Sequence, residues 1–342
     1  MGGVARSEIT IDLGAVRRNA RTLLRALDGA ELWAVVKADG YGHGAADVAG
    51  AALGAGATVL CVATVPEALA LRRELGGVRL LVMGPTANRE IAQARDAGLE
   101  LVVADGEVPD GVRVHLKLDT GMGRWGLSEL PAPGREVIGL MSHFASADSD
   151  AAFTTWQIER FRAATDPFAH LTRHIANSAG ALRYPEAGFD AARCGIALYG
   201  LSPFGEDPAA DGLEPALRWD SELAQVKLLQ PGSSTGYGRR HVAGRPTWIG
   251  VVPVGYADGF RRDLTGTEVR VAGERRRVVG TVSMDAFAVA LDRELPLGTP
   301  VTIVGPGIGL DEHARVAGTI GYELACGINT DPARARRIVV DG

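Results

Sequence analysis

The chain has 342 residues, of which 46% are hydrophobic and 23% are charged, and its formal net charge is −5. This length accommodates one large domain with a smaller one, and the composition is that of a globular protein with a sizeable core. The basic residues are scattered, and their densest run, GERRRVV at 273–279, is typical of a solvated hairpin. We therefore expect no nucleic-acid partner.

The cysteines and the apolar runs bear on compartment and membrane association. Cys61, Cys194 and Cys326 are odd in number, far apart and without CxxC spacing. They favour reduced thiols in the cytoplasm over a disulfide scaffold or a zinc site, so we expect no metal. No basic-then-apolar signal segment opens the chain. The longest uncharged run, 48–66, is broken by GAGAT, and we expect no membrane span.

From residue 32 onward, short apolar runs alternate with amphipathic stretches. Strands that alternate with helices indicate βαβ units and a parallel sheet. Eight runs predict an α/β fold with a (β/α)₈ TIM-type barrel, with a doubly wound open sheet as the alternative. In chain order the runs are LWAVVKAD, TVLCVAT, VRLLVMG, LELVVA, VRVHLKLD, EVIGLMSHF, LTRHIANSA and ARCGIALYG. The helical patterns between them cover 65–75, 88–98 and 148–164.

Two connections are too short or too irregular for the usual crossover helix, which needs a dozen residues or more. They are 104–112 and 126–136, the latter rich in Pro and Gly. The sequence therefore predicts a barrel with two outer helices trimmed to loops.

After residue 215, strand-like runs joined by Gly/Pro turns predict a mostly β domain with one late helix, LDEHARVAGTIGYEL at 310–324. The Pro/Gly-rich stretch 202–215 is the natural link. We place a barrel domain at 8–214 and a β domain at 215–342, and we expect the segment 1–13 to pack on the β domain.

Four ionisable residues lie inside or at the end of apolar runs: Lys37, Lys117, His143 and Arg193. A snorkelling lysine, a hydrogen-bonded core histidine and a carboxylate-paired arginine are the ordinary explanations. In a barrel, however, active-site residues collect at the carboxyl ends of several strands. A desolvated lysine there can form a Schiff base.

Nucleotide motifs do not explain these residues. GMGRWG at 121–126 matches GxGxxG, but LPAPG forbids a helix after it, and no GxxxxGK[ST], HExxH or GxSxG occurs. The small residues of NSAG (177–180) and CGIALYG (194–200) follow strands seven and eight, where barrels often bind phosphate. A Schiff-base lysine with a phosphate site points to pyridoxal phosphate.

AVVKADGYGHGA resembles the cofactor-lysine motif of alanine racemases, and the similarity continues in order along both domains. It includes HLKLDTGMGRWG, LMSHFASAD, HIANSAGALRYP, RCGIALYGLSP, STGYGRRH, IGVVPVGYADGF, VGTVSMDAF and IGYEL. The resemblance implies a barrel with a C-terminal β domain, a head-to-tail homodimer with shared active sites, and pyridoxal phosphate. It implies cytoplasmic interconversion of L- and D-alanine, which supplies D-alanine for the cell wall.

The resemblance also implies catalytic roles. Lys37 would hold the cofactor and act as the base for D-alanine, and Tyr237 of the partner subunit would serve the opposite face and L-alanine. Two bases suit a racemisation, because one fixed group reaches both faces of a planar carbanion poorly. Arg193 would face the pyridine nitrogen. A guanidinium donates a hydrogen bond but scarcely a proton, so the electron sink is weakened and transamination is suppressed.

The remaining matched positions concern binding. Those of the cofactor are Tyr41, His143, Asn177, Ser178, Arg193, Gly195, Ile196 and Tyr322, and those of the substrate are Arg124, Met284, Asp285 and Tyr256. Lys117 matches a lysine that is carbamylated in some members and would then orient Arg124. An ordinary lysine balanced by Asp119 or a bound anion is the equal alternative.

Three other functions are consistent with parts of this pattern. A racemase of another small amino acid such as serine differs only in pocket details, which discriminate weakly. A decarboxylase of basic amino acids would place a carboxylate, not Arg193, at the pyridine nitrogen. A non-catalytic pyridoxal-phosphate carrier would have no use for Tyr237 or the β domain.

Overall fold

Residues 6–105 and 107–342 are described by the computed structural model, which divides into two units. One unit is Gly14–Glu214, and the other combines the described residues up to Leu13 with Pro215–Gly342. Up to Glu214 the strands and helices are β1 (Glu8–Asp12), α1 (Leu13–Leu27), β2 (Glu31–Val35), α2 (Lys37–Tyr41), α3 (Ala45–Ala55), β3 (Val59–Val62), α4 (Val65–Leu75), β4 (Arg79–Val82), α5 (Asn88–Asp96), β5 (Glu100–Val103), β6 (Arg113–Lys117), β7 (Val137–Met141), α6 (Ala151–Thr165), β8 (Thr172–His174), α7 (Ser178–Arg183) and β9 (Ala191–Cys194).

Strands β2 to β9 form a parallel sheet of eight strands in the described part of the chain, in the order β8-β7-β6-β5-β4-β3-β2-β9. Backbone hydrogen bonds from Asp190 to Arg173 and from Arg193 to Ala176 join the β9 side to the β8 side and bring the ring close to closure. The strands are short, almost wholly buried runs such as Val59–Val62, as expected where helices cover a parallel sheet. The predicted barrel is confirmed.

Local capping decides where the outer helices begin and end. α4 occupies the predicted range 65–75, with a capping box between Thr64 and Glu67. α6 begins at Ala151, three residues later than predicted, because the Asp150 side chain accepts a hydrogen bond from the Phe153 N–H. In the described residues of 104–112 and 126–136 no helix is present, so β5–β6 and β6–β7 are joined by loops.

The second unit is mostly β. Its strands and helices are β10 (Leu217–Glu222), β11 (Gln225–Leu229), β12 (Ser234–Thr235), β13 (His241–Val242), β14 (Thr247–Val252), β15 (Glu268–Val271), β16 (Glu274–Val279), β17 (Phe287–Leu291), β18 (Pro300–Val304), α8 (Leu310–Ala317), α9 (Gly321–Gly327) and β19 (Arg336–Val340). In the described ranges nine strands form one sheet, ordered β11-β14-β17-β16-β15-β18-β10-β1-β19. β1 lies between β10, to which it is antiparallel, and β19, to which it is parallel.

The late helix differs from the prediction. The single helix expected over 310–324 is two helices, because Gly318 adopts a left-handed conformation with φ +64° and ends α8. Glycine takes this conformation without steric penalty and is the usual residue just past a helix end. Of the helices in the described residues, none combines the length and the apolar character that crossing a bilayer requires.

Candidate active site

The barrel collects the predicted residues of the first unit at the carboxyl ends of its strands, where barrel enzymes place their active sites. Lys37 follows β2, Lys117 ends β6, His143 follows β7, and Arg193 lies within β9. The remaining residues of this group are Tyr41, Arg124, Asn177, Ser178, Gly195 and Ile196, which lie on the turns that follow the strands.

Lys37 opens a left-handed turn. Ala38, Asp39 and Tyr41 all have φ between +51° and +53°, a region that non-glycine residues seldom occupy. The Glu67 carboxylate stabilises the turn by accepting a 2.8 Å hydrogen bond from the Ala38 N–H. Such backbone strain persists where surrounding structure imposes it, most often at functional sites. The turn thus fixes the course of the backbone immediately after the half-buried Lys37.

A small polar cradle lies beside this turn. The Ser178 hydroxyl accepts hydrogen bonds from the N–H groups of Gly195 (3.1 Å) and Ala197 (3.3 Å). A Cβ on Gly195 would approach the Tyr41 hydroxyl to 2.4 Å, so only glycine fits here. Asn177 caps α7 through its side-chain oxygen, which accepts from the Gly180 N–H. Hydroxyls and backbone amides of this kind are donors for a phosphate.

Arg193 is 2% exposed, and its acceptors among the described residues are neutral. They are His174 Nδ1 (2.7 Å), His143 Nδ1 (3.1 Å) and the carbonyl oxygens of Ser142, His174 and Ile175. Burial lowers the pKa of Arg193 to about 10, so the guanidinium is still charged at neutral pH.

His143 is an acceptor in this site. Its Nδ1 receives the Arg193 N–H because a guanidinium only donates. Desolvation, followed by the charges of Arg193 and Lys117, holds the pKa of His143 well below its usual range. His143 is therefore neutral, with its proton on Nε2.

Lys117 and Arg124 both lie near one indole. Lys117 Nζ is 5.6 Å and Arg124 Cζ is 5.0 Å from the ring centre of Trp125. Lys117 is 3% exposed, and burial together with the charges of Arg193 and Arg124 lowers its pKa to about 8. Asp119 accepts hydrogen bonds from the backbone N–H groups of the loop that follows it.

A cavity of about 500 Å³ adjoins this side of the site. Lys117, Arg124 and Trp125 line it together with the described residues of the loops that follow β4 and β5. The cavity lies beside the β5–β6 connection, which has no helix in its described residues.

The second unit holds the other predicted residues. Tyr237, Tyr256 and Met284 are exposed, at 69%, 44% and 53%. The Ala257 N–H donates to the Met284 carbonyl, which brings the Tyr256 and Met284 turns together. Arg334 donates to both Asp258 and Asp285 and so links the same two turns. Tyr322 lies in the first turn of α9.

Comparison with known proteins identifies the family. The family model described as Alanine racemase, N-terminal domain matches residues 11–203, and that described as Alanine racemase, C-terminal domain matches residues 216–338. The chain belongs to the alanine racemase family. The family and the class of enzyme, an isomerase, are as predicted.

Individual relatives agree over nearly their whole length. The alanine racemase of Lactiplantibacillus plantarum is 38% identical over 369 residues, with 98% of each chain covered. The crystal structure of alanine racemase from D-cycloserine-producing Streptomyces lavendulae has a TM-score of 0.91 and 34% identity, covering 100% of this chain and 98% of that one. The alanine racemase of Bartonella henselae, solved with covalently bound pyridoxal phosphate, has a TM-score of 0.87 and 26% identity, covering 98% and 99%.

Family membership implies pyridoxal phosphate, and the residues of the barrel fit that group. An amine for the aldehyde carbon, a hydroxyl-and-amide cradle for the phosphate and a buried donor for the ring nitrogen are all present in the first unit. Bare Gly195 beside the Tyr41 hydroxyl leaves the cradle open where a Cβ would fill it.

Sequence reasoning missed several residues that support the site. Glu100, His115 and His174 are buried and are joined to Arg193 by hydrogen bonds. Glu67 accepts a hydrogen bond from the turn after Lys37, and the Trp125 ring lies near Lys117. The available signal was a Glu or His within an apolar strand run. That signal shows only burial, because the contacts among these residues come from strands far apart in the sequence.

Proposed function

We propose that this protein interconverts L- and D-alanine with pyridoxal phosphate as its cofactor, as a homodimer in the cytoplasm that supplies D-alanine for cell-wall synthesis. The barrel unit, Gly14–Glu214, binds the cofactor, and the β domain, 215–342, contributes the second base. The observation that supports this most strongly is Arg193, a buried cation with neutral acceptors at the carboxyl ends of the strands.

The chain's own residues hold the cofactor. Lys37 would hold the aldehyde carbon, Arg193 would donate to the pyridine nitrogen, and His143 would lie beside the ring. The residues that would bind the phosphate group are Tyr41, Asn177, Ser178, Gly195, Ile196 and Tyr322. When bound, pyridoxal phosphate withdraws electrons from the Cα of an amino acid joined to it, which acidifies the α-proton.

Two residues move that proton. The Lys37 amine accepts or returns it on one face, and Tyr237 of the partner subunit does so on the other. The left-handed turn after Lys37 constrains the backbone that carries the amine. One fixed group reaches both faces of a planar carbanion poorly, so inversion needs a second base. The exposed side chain of Tyr237 is available to a second copy of the chain.

Four of the matched positions concern the substrate. Arg124 binds its carboxylate, Met284 offers a backbone N–H, and Asp285 and Tyr256 line the approach. With a pKa lowered to about 8, Lys117 is partly neutral at cellular pH and can attack CO₂. The new N–C bond releases one proton and creates an anionic carbamate that orients Arg124.

Arg193 argues against the decarboxylase alternative. A carboxylate at the pyridine nitrogen keeps that nitrogen protonated and strengthens the electron sink, whereas a guanidinium, which does not give up its proton at neutral pH, leaves it neutral. A weak sink shortens the lifetime of the carbanion and suits a reaction that only takes and returns a proton.

Proton NMR in deuterated water tests the proposal. The purified protein with pyridoxal phosphate and L-alanine is followed for loss of the α-proton signal, alongside a chiral assay for D-alanine. We expect exchange together with D-alanine. Exchange without inversion would indicate that one base works and that Tyr237 of the partner subunit is not in place as the second base. Neither signal, with the cofactor bound, would contradict the assignment, and L-serine in a parallel sample would test the nearest alternative substrate.

A further inference from the structure

A series of buried hydrogen bonds leads from Arg193 across the barrel interior to Glu100. Arg193 Nη1 lies 2.7 Å from His174 Nδ1, His174 Nε2 lies 2.9 Å from His115 Nδ1, and His115 Nε2 lies 3.2 Å from Glu100 Oε2. These side chains come from β9, β8, β6 and β5, and none of the four residues is more than 2% exposed. We call Arg193, His174, His115 and Glu100 the relay.

The chemistry of its two ends fixes the direction of the relay. A guanidinium only donates, so His174 Nδ1 is an acceptor and the proton of His174 is on Nε2. That N–H donates to His115 Nδ1, which leaves the proton of His115 on its own Nε2. This last N–H donates to Glu100, and an ionised carboxylate only accepts. Every bond in the relay therefore points from Arg193 towards Glu100.

The charge states agree with this direction. Burial alone would raise the pKa of Glu100, but hydrogen bonds from His115 and Arg79 lower it to about 2. Desolvation lowers the pKa of His115 and holds that of His174 well below its usual range. At neutral pH two neutral rings thus connect a buried anion to a buried cation.

The barrel makes room for the relay. A Cβ on Gly139, which pairs with His115 across β6 and β7, would approach His115 Nδ1 to 2.1 Å. On the other side, the Trp33 ring contacts His115 and His174, with centroid distances of 5.6 and 4.5 Å. Barrel interiors are usually filled by branched apolar side chains, so this layer departs from ordinary core packing.

We propose that Glu100 and His115 are positioning residues for the reaction: they orient the His174 ring, which in turn holds the Arg193 guanidinium towards the pyridine nitrogen. This inference rests on the proposed function. The anion at the end of the relay, Glu100, is paired with Arg79, so the relay orients the His174 ring without a carboxylate beside Arg193. Arg193 therefore keeps its orientation while the pyridine nitrogen stays neutral.

Loss of the relay has a specific chemical consequence. Without His115, the His174 Nε2–H loses its acceptor, its ring shifts, and Arg193 moves away from the pyridine nitrogen. The nitrogen could then take a proton, and the bound cofactor would support transamination as a side reaction. In that reaction the alanine nitrogen and two electrons pass to the cofactor, which leaves as an amine, water supplies the keto oxygen, and pyruvate is released.

Two measurements on the purified holoprotein test the relay. With ¹⁵N-labelled histidine rings, long-range ¹H–¹⁵N spectra of the wild-type protein report which nitrogen of His115 and His174 carries the proton. Four proteins are then compared for kcat, KM and pyruvate released per racemisation turnover: wild type, His115→Phe, Glu100→Gln and His313→Phe. In His115→Phe, Glu100 keeps its hydrogen bonds from Arg79. His313 is a matched control, since it is buried and hydrogen-bonded in the other unit.

We expect both wild-type rings to carry the proton on Nε2. For His115→Phe we expect kcat to fall on the order of tenfold or more, KM to stay within about twofold, and the pyruvate yield to rise about tenfold. Glu100→Gln, whose amide oxygen still accepts, should stay within about threefold of wild type in kcat, and His313→Phe should match wild type in pyruvate yield.

Either of two results would overturn the relay. One is a proton on Nδ1 of His115 or His174 in the wild-type protein, and the other is wild-type kcat and pyruvate yield in His115→Phe. If His115→Phe does not fold, Glu100→Leu replaces it with the same expectations. If the wild-type protein does not racemise alanine, the proposed function fails, while the ring spectrum still decides the direction of the relay.

Discussion

Lys117 is a buried amine, and its protonation lowers the free energy of unfolding. Its pKa is about 8 in the folded chain, below the ordinary lysine value of 10.5, because of burial and of the charges of Arg193 and Arg124. Between these values the unfolded chain binds more protons than the folded one, so this group makes stability rise as pH increases from 8 to 10.5. Below pH 8 its full penalty applies, roughly 3 kcal/mol from the difference in pKa.

We therefore predict that Lys117→Met raises the free energy of unfolding at pH 7, by up to about 3 kcal/mol, and that this gain disappears near pH 10.5. Urea unfolding in CO₂-free buffer at both pH values measures the difference between variant and wild type. Lys227→Met, at an exposed lysine of β11, is the matched control and should change little. An equal effect of Lys117→Met at both pH values would contradict the lowered pKa.

Gly195 belongs to the turn that follows β9, and its missing side chain is what leaves the phosphate cradle open. A Cβ there would lie 2.4 Å from the Tyr41 hydroxyl. We predict that Gly195→Ala weakens binding of pyridoxal phosphate on the order of tenfold, because the tyrosine must move away. Titration of the apoprotein, followed by cofactor absorbance, measures this affinity.

Gly54→Ala is the control for that substitution. Gly54 lies in α3, and a Cβ there would meet nothing within 4 Å. Alanine is the better helix former by about 1 kcal/mol, so this variant should bind the cofactor normally and unfold at a slightly higher temperature. If Gly195→Ala also binds the cofactor normally, the cradle assigned to this turn is wrong.

The barrel strands could be predicted because each is a continuous apolar run, and burial in a parallel sheet produces that local pattern. Lys37, His143 and Arg193 interrupt such runs and could therefore be noticed. The relay could not be predicted, because Glu100 and His174 meet through His115 only after the barrel closes. The left-handed turn at Ala38 and Asp39 is likewise imposed by tertiary contacts such as Glu67, which local propensity does not contain.

At the scale of the whole molecule, the proposed shared site has a test that needs no structure of a dimer. Lys37→Ala and Tyr237→Phe proteins should each be nearly inactive. If each site takes its lysine from one subunit and its tyrosine from the other, a mixed dimer contains one site with both bases intact. Random exchange puts half of the dimers in that form, so we predict recovery of about a quarter of wild-type activity after mixing.

Racemase assays before and after mixing, with subunit exchange promoted by mild denaturant, measure this recovery. The control is each variant carried through the same treatment alone. Full exchange, established by mass spectrometry of differently tagged chains, with no recovered activity would show that both bases come from one subunit.

The sheet of the second unit has a consequence for synthesis of the chain. β1 pairs with β19, and the Arg336 side chain donates to Glu8 across 328 positions of sequence. During synthesis β1 is made long before β10 and β19, its two partners in the sheet, whereas the partners of every barrel strand are complete by Cys194. The barrel can thus assemble during translation, whereas the nine-stranded sheet is complete only when β19 has been made. Until β10 is made, β1 has neither partner, and until β19 is made one edge of β1 stays unpaired, so chaperone binding or aggregation of nascent chains should concentrate there.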